Sequence, residues 1–168
     1  PPLPRPRAAQ RGDRPGQRDV DESALRKAIV VIPQEGFLFT GTIRDNLRLA
    51  APGATEGRIR AALDHLGLVE RFERFPDGLD SRVETRGTNF SAGERQLVSV
   101  ARAALVDPSV LVLDEATSSL DPGTELLLDR ALERLMAGRT VVVIAHRLTT
   151  AERADLVAVV DEGHLVET

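Results

Sequence analysis

The chain has 168 residues, of which 42% are hydrophobic and 29% charged, with a net charge of −4 and no cysteine. That is an ordinary soluble mix, in a length that suits one domain with a real core. It excludes disulfides and thiolate metal sites, argues against a general nucleic-acid binder, and holds no apolar run near the ~18 residues of a membrane helix.

Residues 1–18 stand apart from the rest. Five of the ten prolines fall at positions 1, 2, 4, 6 and 15, interleaved with Arg5, Arg7, Arg11, Arg14 and Arg18. Such a stretch has almost nothing to bury, so a disordered, solvated tail is expected. A basic arm for nucleic acid or lipid headgroups, and out-of-frame translation of GC-rich DNA, are the competing readings. No targeting sequence is readable. From residue 19 onward the pattern is α/β. A β-branched run over 28–32 ends at Pro33 and reads as a buried strand. Residues 55–75 place Ile59, Leu63, Leu66, Val69 and Phe72 at helical spacing and read as one helix. A second helix is expected over 94–105, with Leu97, Val98, Ala101 and Leu105 on one face. Residues 110–113 form a continuous apolar strand of the kind covered on both faces. A helix over 124–136, closed by Gly138, follows. Buried strands are expected over 141–144 and 156–160, then a turn at 161–163 into a short strand, 164–167. Strands alternating with helices imply a largely parallel sheet.

Four places carry chemistry. Asp114 and Glu115 stand at the carboxyl end of the 110–113 strand, where open α/β sheets bind ligands. An aspartate there suits Mg²⁺ through hard oxygen ligation, and a neighbouring glutamate suits activation of water. Asn89-Phe-Ser-Ala-Gly-Glu94 precedes a helix, with Ser91 as N-cap and Glu94 three residues on, the spacing of a capping box. Its small residues keep backbone N–H groups open to a phosphate. His146 follows a strand and suits a phosphate contact, while Gln34 follows Ile32-Pro33 and suits a metal shell or a positioned water. Each signal taken singly has a plain structural reading: a solvated strand end, a well-capped helix, a structural histidine, a glutamine after a strand.

Their order resembles one family. Residues 31–46, from Val31 through Gln34 to Asn46, are similar to the Q-loop and following segment of ATP-binding cassette (ABC) exporters. Residues 89–96 resemble the ABC signature motif, 110–115 the Walker B strand, Ser118-Ser-Leu-Asp121 the D-loop, and Ile144-Ala-His146 the switch histidine. The resemblance spans about residues 19–168. It implies a P-loop NTPase-like parallel sheet flanked by helices, with a helical signature subdomain over about 40–105. It also implies a head-to-tail pair with a second ABC ATPase domain, ATP and Mg²⁺ held between them, and a transmembrane domain of an exporter as partner at the cytoplasmic face of the membrane. In that arrangement Asp114 holds Mg²⁺, Glu115 is the general base, and Gln34 couples metal and water to the membrane domain. His146 contacts the γ-phosphate, Asp121 communicates across the pair, and Ser91, Ala92, Gly93 and Glu94 form the signature facing the partner's ATP. Nucleic acid is not an expected partner.

The signature departs from the usual form at Phe90, Ala92 and Glu94. A larger departure is that Gly-x-x-x-x-Gly-Lys-Ser/Thr occurs nowhere in the 168 residues, and Lys27, the only lysine, has no glycine loop around it. The resemblance puts the P-loop, its strand and the antiparallel β-subdomain upstream of Pro1. A sheet short of that strand is expected to expose apolar surface and unpaired edges. The chain alone is then expected to be poorly stable and inactive. The competing function is a catalytically incomplete half that donates its signature motif in trans. A chromosome-maintenance or repair ATPase and an importer fit the 37–46 segment less well.

Overall fold

Residues 21–114, 120–145 and 154–167 are described by the structure, a computed structural model. The tail read over 1–18 lies outside them. Helix α1 (Glu22–Ala28) passes directly into β1 (Ile29–Ile32), where β-branched side chains take over and Pro33 ends the strand. A two-residue ribbon, β2 (Gly41–Thr42) with β3 (Arg82–Val83), brackets α2 (Ile43–Arg48), α3 (Glu56–Leu66) and α4 (Val69–Glu73). Helix α5 (Ala92–Val106) then leads to β4 (Val110–Asp114), α6 (Pro122–Met136) and β5 (Thr140–Ile144), and the chain closes on a hairpin, β6 (Val159–Asp161) with β7 (His164–Glu167).

The sheet is parallel, in the order β1-β4-β5. Ile32 pairs in register with Leu113, and Leu113 with Val143. Helix α5 is the central beam: it packs on β1 and receives α2, α3 and α6 around it. Leu97, Val98, Val100, Ala101 and Leu105 of α5 are all buried there, beside Ile32, Leu111 and Leu113 of the sheet. The long helices start on a side-chain oxygen that accepts from a backbone N–H two or three places into the first turn, supplied by Thr55, Ser91 and Asp121.

Four sequence expectations are corrected. The 55–75 segment is two helices, because Gly67 takes a left-handed conformation (φ 71°) and closes α3 through its N–H. A residue with a Cβ resists that geometry, and the turn lets Phe72 of α4 reach the same core as Leu63. The 110–114 strand is covered on one face: Leu111 and Leu113 are buried, while Val110 and Val112 are only half-buried. The strand at 140–144 is exposed rather than buried, with Val142 and Ile144 about half open. Val31, Val112 and Val142 stand in register on that open face, and no described helix covers it. The apolar run over 156–160 forms strand only from Val159, paired antiparallel with β7, and both strands of the hairpin are exposed. Continuous hydrophobicity signals two covered faces only when both covers are present. Among the described residues one is missing. The 161–163 turn is as read: Glu162 (φ 46°) and Gly163 (φ 80°) both have positive φ, the geometry that suits a tight hairpin.

Candidate functional site

The amino end of α5 is built from its own local sequence. Ser91 Oγ accepts from the N–H of Glu94 at 3.1 Å, and Glu94 Oε2 accepts from the N–H of Ser91 at 2.7 Å. This closes the capping box expected from the spacing. Ser91 and Ala92 are exposed, while the N–H groups of Ser91 and Glu94 are engaged within the box. Gly93 is instead buried: a Cβ there would lie 2.3 Å from Thr124 Cγ2 in the first turn of α6. Its missing side chain therefore serves the contact between two helix starts. Through that contact α5 brings Asp121 beside the signature segment, since Asp121 caps α6 by accepting from the N–H of Thr124 at 3.0 Å. Hydrogen bonds from Thr124, side chain first and backbone second, hold the Asp121 carboxyl below its ordinary range. Two helix amino termini thus converge, an arrangement that favours anions.

The segment after Gln34 is fastened to α5 rather than left as a free loop. Gln96 Nε2 donates to the carbonyl of Pro33 at 2.9 Å. Gly36 lies against the α5 backbone so closely that a Cβ would sit 2.4 Å from the carbonyl carbon of Arg95. Farther along, Arg102 donates through Nη1 to Phe37 O at 2.6 Å and through Nε to Asn46 O at 2.8 Å, and it also bonds Asn46 Oδ1. Buried Asn46 accepts from the N–H of Phe39 at 2.8 Å and donates to Phe39 O at 2.7 Å and Thr42 O at 2.8 Å. Burial lowers the proton affinity of Arg102, but a guanidinium stays charged throughout the physiological range. The outcome is a rigid loop that presents Phe37 and Phe39 outward, edge to face, with ring centroids 4.9 Å apart. Gln34 itself is exposed.

Asp114 ends β4 half-buried, paired in register with Ile144. It stands at the carboxyl end of the sheet, as its sequence position implied. Glu115 and His146 lie outside the described residues. The described residues contain no group of three or more His, Cys, Asp or Glu able to hold a metal unaided. Sequence reasoning missed Asn46, Gln96, Arg102 and Arg71. Together the first three make bonds that span 56 to 65 positions, and no local pattern announces a partner at that distance. A buried amide amid a helical apolar face was the available signal for Gln96.

A nucleotide-triphosphatase sheet with a signature-type helix beside it is the class these features define. Residues 9–118 match the family model for the ABC transporter. The heavy metal tolerance protein of Schizosaccharomyces pombe is 50% identical over 151 residues, 90% of this chain and 18% of that protein. The ATP-dependent lipid A-core flippase of Neisseria meningitidis is 42% identical over 149 residues, 89% of this chain and 24% of the flippase. Among solved structures, a bacterial Atm1-family ABC exporter with ATP bound superposes with a TM-score of 0.76 at 36% identity, covering 86% of this chain and 25% of the exporter. The chain belongs to the ABC transporter family, and its sheet and helices are those of the ABC ATPase fold. It spans about a quarter or less of the length of these relatives.

Proposed function

We propose that this chain supplies the signature and Walker B half of an ATP-hydrolysing site in an ABC exporter. The observation that carries the reading is the capped, outward-facing start of α5 at Ser91, joined through Gly93 to the Asp121 start of α6. Two convergent helix starts, the first of them exposed at Ser91 and Ala92, suit a triphosphate bound to a second ATPase domain.

In this reading Ser91 and Ala92 meet the γ-phosphate of the partner's ATP, Asp121 faces the partner, and Gly93 keeps the two helix ends together. Glu115 takes a proton from water as the water oxygen bonds to the γ-phosphorus. The bond to the β,γ-bridging oxygen breaks, giving ADP and phosphate. His146 would hold the γ-phosphate and Gln34 the water. Asp114 and Gln34 fit Mg²⁺, a hard-oxygen pair suited to an ion whose remaining ligands are phosphate and water. When bound, that ion supplies neutralisation of phosphate charge. The helical segment over about 40–105 is the signature subdomain. The exposed Phe37 and Phe39 suit an apolar segment of a transmembrane domain, which would place the chain at the cytoplasmic face of a membrane. No described helix is long and apolar enough to cross one.

ATP turnover by the exporter polypeptide carrying this chain tests the assignment. E115Q is expected to slow turnover by about 10²–10⁴-fold, the usual contribution of a general base, while nucleotide binding persists. Native turnover in E115Q would remove the assignment. A second reading, a half that only donates its signature in trans, rests on the same exposed, capped start of α5. It predicts that the isolated chain binds no nucleotide yet supports hydrolysis by a partner ATPase domain.

A further inference from the structure

Glu94 places an acid where a phosphate is to be received, and the structure shows what offsets it. One carboxylate oxygen, Oε2, is turned back to the N–H of Ser91. The other, Oε1, accepts from Arg71 Nη2 at 2.5 Å. The two side chains are only 27% and 18% exposed, so water and salt screen this pair weakly. Arg71 comes from α4, and its guanidinium carbon stands 5.0 Å over the Phe75 ring. Phe75 is itself packed against Phe72 at 6.0 Å and Phe90 at 5.3 Å between centroids. A cation on an aromatic shelf therefore meets the acid of the signature segment.

We propose that Arg71 is a positioning residue for the signature motif: it neutralises Glu94 and holds its carboxylate against the helix start, so that the exposed start of α5 receives a phosphate despite the acid beside it. The inference rests on the reading that the Ser91 end of α5 covers a triphosphate. Without Arg71 the carboxylate is a bare negative charge in a partly dehydrated position. It then repels the incoming phosphate and competes for the same N–H donors.

The test is steady-state ATP turnover by the complete exporter polypeptide, comparing R71M in the native background with R71M in an E94Q background. The account predicts a rise in KM for ATP of about tenfold or more in the first, from like-charge repulsion, and less than about threefold in the second, where no charge is left to neutralise. The native-background penalty shrinks as salt rises from about 0.05 to 0.5 M, because screening weakens the repulsion. R71K keeps the cation and stays within about threefold of native. Equal penalties for R71M in both backgrounds, or an R71K as impaired as R71M, would overturn the proposal and leave Arg71 a brace for α4. S91E separates the two ideas: if it leaves turnover unchanged, the covering role of α5 fails whatever Arg71 does. If S91E abolishes turnover, that role stands and the R71M comparison decides the rest.

Discussion

Asn46 and Arg102 decide the shape of the loop after Gln34. The Asn46 side chain answers both the N–H and the carbonyl of Phe39, as a neighbouring strand would, and Arg102 closes the arrangement from α5. Truncating Asn46 leaves a buried backbone pair and part of a guanidinium without partners. Asn46→Ala is therefore expected to destabilise the protein by about 2–4 kcal/mol, measured by urea unfolding, with amide exchange in 37–46 rising first. Unchanged exchange in that loop would show that Phe37 and Phe39 are held by something else. Legibility at this scale follows sequence distance. Ser91 and Glu94 were readable because a capping box is a local pattern three residues long. Arg71 lies 23 positions before Glu94 and Arg102 lies 56 after Asn46, so their pairing depends on the fold having brought helices together. Gly93 was readable as small, but its contact with Thr124 in the first turn of α6 was not, because that partner lies 31 positions on.

At the scale of elements, the start of α6 carries a titratable cap. Asp121 is held below its ordinary range by hydrogen bonds from Thr124, so its folded value lies below its unfolded one. A carboxylate of that kind stabilises the fold above the usual aspartate value of about 4, and the contribution disappears as pH falls through the lower folded value. The Thr124 amide shift should accordingly titrate with a midpoint beneath the ordinary aspartate range. D121N should abolish that titration, because asparagine caps without ionising. A midpoint at or above the ordinary value would contradict the cap. Periodicity located α5 and α6 to within two residues at their starts, since each carries a long amphipathic face. It joined α3 to α4 because Leu63, Leu66, Val69 and Phe72 keep helical spacing across Gly67, whose left-handed turn returns the chain to the same core. It gave no sign of α1 or α2, which are six or seven residues long; α2 is specified by its capping box and by buried Ile43 and Leu47.

At the scale of the whole molecule, the sheet is covered on one side among the described residues. Val31, Val112 and Val142 share an open face, and β5 presents an edge of five uncharged residues. Such an edge is a template for further pairing. The isolated chain should bind a hydrophobic dye and self-associate, and V142K should reduce both. A cooperative, dye-free melt of the isolated chain would oppose this. The strands themselves looked buried because apolar runs record the covers for which they evolved. Fold class was thus legible from alternation and motifs, whereas the open face required knowing where the helices go.

The central claim is that the Ser91 end of α5 closes over a triphosphate held by another domain. The chain contains no cysteine, so S91C in a cysteine-free exporter polypeptide gives a single thiol at that spot. Its labelling rate by a small maleimide, measured with E115Q to prevent hydrolysis, should fall about tenfold or more when Mg·ATP is added, as expected for a site buried in the nucleotide interface. A labelling rate indifferent to saturating Mg·ATP would contradict the account.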